Sequence, residues 1–334
     1  MKELITAISL LYSIPVCRIV PLKDEKVFLI LTKTDRFVLK LLPFPAMETG
    51  FITDAMVYLS QKDFHRFNEI IPTAEGKPAG KYKDRFTLLT KELHGRVPSY
   101  KKADDIIAVT VCLAGLHHAA RHFLPIHRYE ERIKWGTMTD TIDQGRNDLL
   151  LFRRRLTDKE KKSDFDTTFL NHCDFFIDEA ENASSALETF YPRLCEDNIR
   201  SGGFCHHDPA HHNFLIDRRG KAAVFDFDYA IADLRAHDVA AFLLKVLKTN
   251  HWDIEPALVA LNTYETLFPL SPMEKKFIYC LLTYPYDFHH AAYARYEENN
   301  FTRRIEKKLF RLIREKELRE DLLQKIRPFL AEEL

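Results

Sequence analysis

The stretch Phe204-Cys-His-His-Asp-Pro-Ala-His-His-Asn-Phe-Leu-Ile216 sets three side chains at fixed offsets: His206, Asp208 two residues on, and Asn213 five after that. Two apolar runs follow, Asn213-Phe-Leu-Ile-Asp217 and Lys221-Ala-Ala-Val-Phe-Asp226. Between them lie the turn residues Arg218-Arg-Gly220, which is the pattern of a β-hairpin. The hairpin delivers Asp226-Phe-Asp228. Carboxylate and amide oxygens at the end of a rigid hairpin are hard ligands of the kind Mg²⁺ takes.

Protein kinases use this spacing. In them the loop aspartate takes the proton of the acceptor hydroxyl, and the asparagine and the aspartate after the hairpin hold the metal. Phosphoryl transfer asks for little covalent work and much positioning of charge, which fixed carboxylates supply. Read this way, Asp208 and His206 form the catalytic loop pair. Asn213, Asp226 and Asp228 are the metal-ligand candidates.

Outward from this motif, the first 95 residues read as a small α+β region. An amphipathic opening helix precedes a short strand at Cys17-Arg-Ile-Val-Pro21. Two β-rich runs follow, Val27–Thr32 and Arg36–Leu42, joined by the polar turn Lys33-Thr-Asp35. Met47, Phe51, Ile52, Ala55, Met56 and Leu59 recur at helical spacing, which predicts a helix over 46–62. Two further strands are expected at Asn68–Pro72 and Arg85–Thr90, with turn chemistry at Glu75-Gly-Lys-Pro78. On the third strand Lys40 stands where a kinase-type lysine would meet the nucleotide phosphates. The helix after it should offer an acid to hold that lysine. Glu48 and Asp54 are the candidates, and Asp54 lies nearer the helix middle. Lys91-Glu-Leu-His94, with Glu92, should form the hinge whose backbone meets adenine.

Beyond Gly95 the sequence turns helical. Helices are expected from Asp104 to Phe123 and over 138–156, 166–190, 255–267 and 273–284. The tail from Arg303 to Leu330 places Ile305, Leu309, Ile313, Leu318, Leu322 and Ile326 near helical spacing. The expected division is residues 1–95 as a nucleotide-binding lobe and 96–334 as a mainly helical lobe carrying the catalytic loop. The expected fold class is α+β, bilobed and protein-kinase-like, with a small antiparallel sheet, a larger helical lobe and a catalytic hairpin.

Composition narrows the function classes. Lys and Arg total 49, as do Asp and Glu, so the formal net charge is zero. A dedicated nucleic-acid binder carries a basic excess, so no nucleic-acid partner is expected. No membrane partner is expected either, because no run approaches a span of about 18 apolar residues. Only ten of the 334 residues are glycine, and none precedes Gly50. Dinucleotide-binding and P-loop motifs pack several glycines into one turn, and neither pattern occurs. Six cysteines at 17, 112, 173, 195, 205 and 280 form no C-x-x-C pair and read as reduced thiols. The N-terminus lacks the basic start and cleavage site of a signal peptide, so synthesis in the cytoplasm is expected. Zinc ligation by His206, His207, His211 and His212 with Cys205 is the weaker reading, since neighbours on a loop point apart.

The chain resembles the small-molecule kinases of the aminoglycoside phosphotransferase and choline kinase superfamily. These carry H-G-D-x-H-P-x-N followed by I-D-F/W-D/E. Within that group it is similar to the CotS family of bacterial endospore coat proteins. The matching features are Leu116-His-His-Ala-Ala120, Lys134-Trp-Gly136, Cys205-His-His-Asp208, Phe225-Asp-Phe-Asp-Tyr-Ala230, Asp233-Leu-Arg-Ala-His-Asp238 and Tyr284-Pro-Tyr286. The resemblance implies ATP and Mg²⁺ as cofactors, a small-molecule hydroxyl substrate and other spore coat proteins as partners. It implies the spore coat as location and a loop-bracing role for Asp238. One feature departs from the kinase pattern. The turn between the first two strands is Leu22-Lys-Asp-Glu-Lys26, without the glycines that let backbone amides approach phosphates. Two readings therefore stand: an ATP- and Mg²⁺-dependent phosphotransferase, or a catalytically weak or inactive coat scaffold on a kinase-like fold.

Overall fold

A computed structural model describes residues 2–125 and 129–331. The chain divides into two compact units. The first comprises Met1–Lys134, Ser201–Asp238 and Val259–Phe268. The second comprises Trp135–Arg200, Val239–Leu258 and Pro269–Leu334. This differs from the expected cut after Gly95: the loop at 206–213 and its hairpin group with the sheet. The reason lies in backbone pairing, which joins the hinge to the hairpin, as described below.

The first unit opens with α1 (Lys2–Tyr12), β1 (Arg18–Lys23), β2 (Val27–Leu31), β3 (Arg36–Leu42) and α2 (Ala46–Gln61). Then come β4 (Gly80–Tyr82), β5 (Arg85–Lys91) and α3 (Ala103–Ala120). The five strands form one antiparallel sheet in the order β1-β2-β3-β5-β4. Strand periodicity places Leu39 and Leu41 on one face, where they pack with Leu4, Ile8 and Tyr12 of α1. Each such buried side chain contributes roughly 1.5–3 kcal/mol. Tyr12 adds a hydrogen bond from its hydroxyl to the Thr87 carbonyl at 2.9 Å. Val38 and Lys40 alternate onto the other face, with Leu88 and Thr90 beside them, and border a cavity of about 390 Å³.

The strand expected at Asn68–Pro72 is not one of the five. Residues 69–71 bond to β5 (Lys91 N to Glu69 O at 2.9 Å, Ile71 N to Leu89 O at 2.8 Å), and there the pairing stops. The next amide in line for β5, that of Thr73, bonds instead to the Lys77 carbonyl at 2.8 Å and turns the chain away. The fourth strand is instead the short β4. In α3 the length and hydropathy would suffice for a membrane crossing, but 61% of the helix is buried within the fold. It is a core helix, and its Asp105 and His117 are buried with partners.

β6 (Phe214–Ile216) and β7 (Ala222–Val224) form the expected hairpin. Asp217 Oδ1 accepts from the amides of Arg219 and Lys221 and fixes the turn. Arg96 and Ile216 exchange backbone hydrogen bonds of 3.0 and 2.8 Å, which tie the hinge to the hairpin. Gly95 is required there: a Cβ would lie 2.6 Å from the Ile216 carbonyl oxygen.

α4 (Met138–Thr157) and α5 (Asp164–Ser201) belong to the second unit. α6 (Arg235–Thr249) and α7 (Ile254–Leu267) follow the hairpin. α8 (Pro272–Thr283), α9 (Tyr286–Tyr296), α10 (Arg303–Arg314) and α11 (Lys316–Leu330) complete the chain. Ser271 and Glu274 cap α8 reciprocally. The second unit's core is aromatic, with Phe288 stacked on Phe169 and Phe176. The tail is two helices rather than one continuous run. The apolar spacing explains the break: steps of four residues through Ile313 are interrupted by a step of five to Leu318, which is left exposed. Five of the six cysteines are buried, Cys17 is exposed, and all six are free thiols.

Gly95→Ala should lower stability by about 1–3 kcal/mol, because the methyl meets backbone that cannot swing aside. The urea midpoint measures this. An unchanged or raised midpoint, the usual result of Gly→Ala at an open site, would contradict the close approach.

Candidate active site

The loop from Cys205 to Asn213 is held from beneath by one carboxylate. Asp238, in the first turn of α6, is fully buried. Its two oxygens accept the backbone N–H groups of His206 and His207, both at 2.7 Å. His117 Nε2 lies 3.0 Å from the same carboxylate, and His117 Nδ1 lies 2.7 Å from the Tyr264 hydroxyl. A carboxylate only accepts, so Nε2 carries the proton. Burial alone would raise the Asp238 pKa. The hydrogen bond and charge from His117 outweigh it, with help from His206 and His207, and hold the pKa at about 2. The loop-bracing role expected of Asp238 matches this geometry.

His206 is fully buried, and its Nε2 donates to the Phe225 carbonyl at 3.0 Å. Its Nδ1 faces the Asp208 amide at 3.4 Å. Both ring nitrogens serve the backbone, so His206 joins loop to hairpin and is a positioning residue. The expectation of a catalytic role is corrected on that ground. Tyr100 donates to the Pro209 carbonyl at 3.0 Å. Asp208 remains partly exposed. Asn213 Nδ2 donates to the Asp208 carboxylate at 2.8 Å and to its carbonyl at 2.9 Å. The two side chains named from their spacing are thus in direct contact.

Lys40 reaches from β3 to the end of the hairpin. Its Nζ lies 2.6 Å from Asp226 Oδ1 and 2.7 Å from Asp228 Oδ2. Burial would lower the Lys40 pKa, but the two carboxylates outweigh it and the value is raised. For Asp226, burial is outweighed by the Lys40 charge, and its pKa falls below the usual carboxylate range. For Asp228, burial and the neighbouring Asp226 charge prevail over Lys40, and its pKa is raised. Asp226 has φ 70° and ψ 66°, a left-handed conformation costly for a residue with a Cβ. The surroundings hold it there. Phe225 N bonds to Asn213 O at 3.0 Å, and Phe227 packs edge-on between Phe67 and His206.

The acids expected to hold Lys40 do not. Asp54 accepts from the Tyr129 hydroxyl at 2.6 Å, and Glu48 pairs with Arg132 at 2.7 Å. Spacing on α2 could rank the two acids, but it could not foresee that Arg132 and Tyr129 would take both. Glu92 borders the cavity, yet its carboxylate is bound by Arg36, so its side chain is a poor ligand for a nucleotide. Leu93, next in the stretch expected to form the hinge, also borders the cavity.

Between β1 and β2 the chain makes a two-residue turn. Lys26 N bonds to Lys23 O at 2.9 Å, and Asp24 and Glu25 have φ of 43° and 51°. Both central residues thus occupy positions usually given to glycine or asparagine. Leu22, Lys23 and Val27 border the cavity.

The loop histidines do not gather as a zinc site. His206 is spent as described, the His207 ring stacks edge-on to His237, and His211 and His212 are exposed. A buried His117, Cys205 and Asp238 do converge. Their atoms already serve one another and the loop, and Cys205 Sγ donates to the Leu234 carbonyl at 3.0 Å. Sequence reasoning missed the roles of Arg132 and Tyr264, and it quoted His117 within Leu116–Ala120 without foreseeing its contact with Asp238.

The arrangement is that of a protein-kinase-like phosphotransferase fold. An aminoglycoside phosphotransferase from Alicyclobacillus acidocaldarius has a similar structure, with a TM-score of 0.86 at 19% identity, covering 99% of this chain and 97% of that one. An amicoumacin kinase in complex with AMP-PNP and Ca²⁺ gives a TM-score of 0.64 at 15% identity, covering 97% and 93%. Residues 22–326 match the family described as "Spore coat putative kinase YutH", and the chain belongs to that family. Spore coat protein S of Bacillus subtilis (strain 168) is 23% identical over 256 residues, covering 71% of this chain and 68% of the relative. The resemblance to the CotS spore coat group is borne out.

A depressed carboxylate stabilises the fold above its unfolded pKa and ceases to do so as pH falls through its folded value. The stability difference between the protein and Asp238→Asn should therefore shrink by about 2 kcal/mol between pH 5 and pH 2. Urea midpoints across that range measure it. A pH-independent difference would contradict the pairing.

Proposed function

We propose that the chain is an ATP- and Mg²⁺-dependent phosphotransferase acting on a hydroxyl group, associated with the spore coat. The observation that carries this reading is the convergence of Asp226 and Asp228 on the single ammonium of Lys40. Two carboxylates that meet one cation at 2.6 and 2.7 Å form a donor set fit for a divalent ion. Asn213, whose amide nitrogen is committed to Asp208, completes the set through its amide oxygen.

In this reading, a bound Mg²⁺ supplies positive charge against the phosphate oxygens. Lys40 binds and orients the α- and β-phosphates. Asp208, oriented by Asn213 Nδ2, would accept the proton of the acceptor hydroxyl as that oxygen bonds to the γ-phosphorus and the bond from phosphorus to the departing ADP breaks. Val27, Val38 and Leu88 would hold adenine, with Glu92 and Leu93 at the same cavity. The cavity volume of about 390 Å³ falls within the ordinary range for small ligands. Membership in a spore coat family supports coat proteins as partners and the coat as location.

One observation favours the alternative, a weak or inactive kinase retained as a coat scaffold. The two-residue turn at Asp24-Glu25 brings carboxylates, not glycine amides, to the strand connection that covers the phosphates in kinases.

Thermal unfolding with Mg·ATP separates the two. At a ligand concentration a hundredfold over Kd, the native state gains about 2.7 kcal/mol. Lys40→Met should abolish the shift, and Asp54→Asn should keep it. Asp208→Asn should retain binding while losing transfer to an acceptor panel by two or more orders of magnitude. No Mg·ATP shift in the unaltered protein, together with full coat assembly by Asp208→Ala, would sink the enzyme reading and leave the scaffold.

A further inference from the structure

Arg132 is 6% exposed, and no sequence signal marks it. Its guanidinium meets an acid, two carbonyls and an aromatic ring. Nη2 pairs with Glu48 Oε2 at 2.7 Å. Nη1 donates to the Asp228 carbonyl at 2.5 Å and to the Ala230 carbonyl at 3.2 Å. The Phe44 ring lies 4.8 Å away, just before α2 begins. The backbone of Arg132 is tied to the same segment: Ala232 N bonds to Arg132 O at 2.8 Å, and Lys134 N bonds to Ala232 O at 2.9 Å.

From these contacts we infer that Arg132 is a positioning residue that couples the first turn of α2 to the carboxylate of Asp228. The inference rests on the proposed reading of Asp228 as a metal ligand. The physical argument is one of reach and rigidity. A guanidinium is a planar fork with donors in fixed directions, so Glu48 on one edge and two carbonyls on another are held at set separations. The Asp228 carbonyl and carboxylate share one residue, and the carboxylate is drawn to Lys40. A shift of the α2 N-terminus is therefore transmitted through Arg132 to the metal-binding end of the hairpin. Lys40 cannot carry this link, because it touches neither α2 acid. Without Glu48 the buried guanidinium would lose its direct ion-pair partner and keep only the weaker attraction of the Asp228 carboxylate, which gives the link its strength.

Two variants test this: Arg132→Lys, which keeps the charge but loses the fork, and Glu48→Gln, which alters only the α2 end. The direct readout is hydrogen exchange in the protein without nucleotide. The amides of Ala230, Ile231 and Ala232 are hydrogen-bonded and should be protected. Both variants should speed their exchange roughly tenfold, the factor expected from loss of one charge-assisted bond. Amides of β3 should remain at the original rate, which excludes general unfolding. Glu48 bonds to none of the three amides, so their acceleration in Glu48→Gln reports the relay. Wild-type exchange at 230–232 in Glu48→Gln, with acceleration confined to α2, would overturn the inference. A second readout is the Mg²⁺ concentration for half-maximal stabilisation by ATP, expected to rise severalfold in both variants while cooperative unfolding persists. If the unaltered protein shows no stabilisation by Mg·ATP, the phosphotransferase reading fails, and the exchange measurement still decides the relay.

Discussion

The site depends on one buried anion. The Asp238 carboxylate accepts two consecutive backbone N–H groups, those of His206 and of His207, the latter held at φ 67°. A charge in a low-dielectric interior is costly unless fully hydrogen-bonded. Asp238 meets that condition with the two amides and His117. The start of α6 adds the favourable end of a helix dipole. Because the anion is satisfied only when the loop is in place, the brace and the loop are mutually dependent. Asp208 and Asn213 inherit their contact from it.

A second electrostatic balance sits at the hairpin's end. Asp226 and Asp228 repel each other, and Lys40 offsets that repulsion from the facing strand. The sheet matters here for a geometric reason. Strand alternation places Leu39 and Leu41 in the apolar core under α1, and this forces Lys40 to the cavity side. The position of the ammonium is therefore fixed by core packing, and its pKa is raised by the partners it meets there. On the helix side, Arg132 occupies the place between α2 and the hairpin. The kinase-like arrangement thus persists with a different set of ion pairs.

Much of this was legible in the sequence. The offsets of His206, Asp208, Asn213 and Asp226 predicted the loop and the hairpin, while the contact between Asp208 and Asn213 came only from the structure. β3 fell on the residues expected for it, because a short apolar run, broken only by Lys40, lies between the polar turn Lys33-Thr-Asp35 and Pro43. Errors came where a local pattern competed with a longer one. Asn68–Pro72 has strand composition, but the turn that follows takes the Thr73 amide and ends the pairing. The C-terminal tail has helical spacing but contains a five-residue step that changes the buried face.

By itself the sequence determined the identities and spacing of the chemical groups, the strand and helix periods, and the family to which they belong. These are properties of neighbours along the chain, within reach of one turn or one hairpin. Only the tertiary structure decided which charges meet. Lys40 pairs 186 residues away, and Arg132 joins Asp228 across 96. Partner choice over such separations is set by packing, by which burial leaves a charge unmet, and by which group is near enough to meet it.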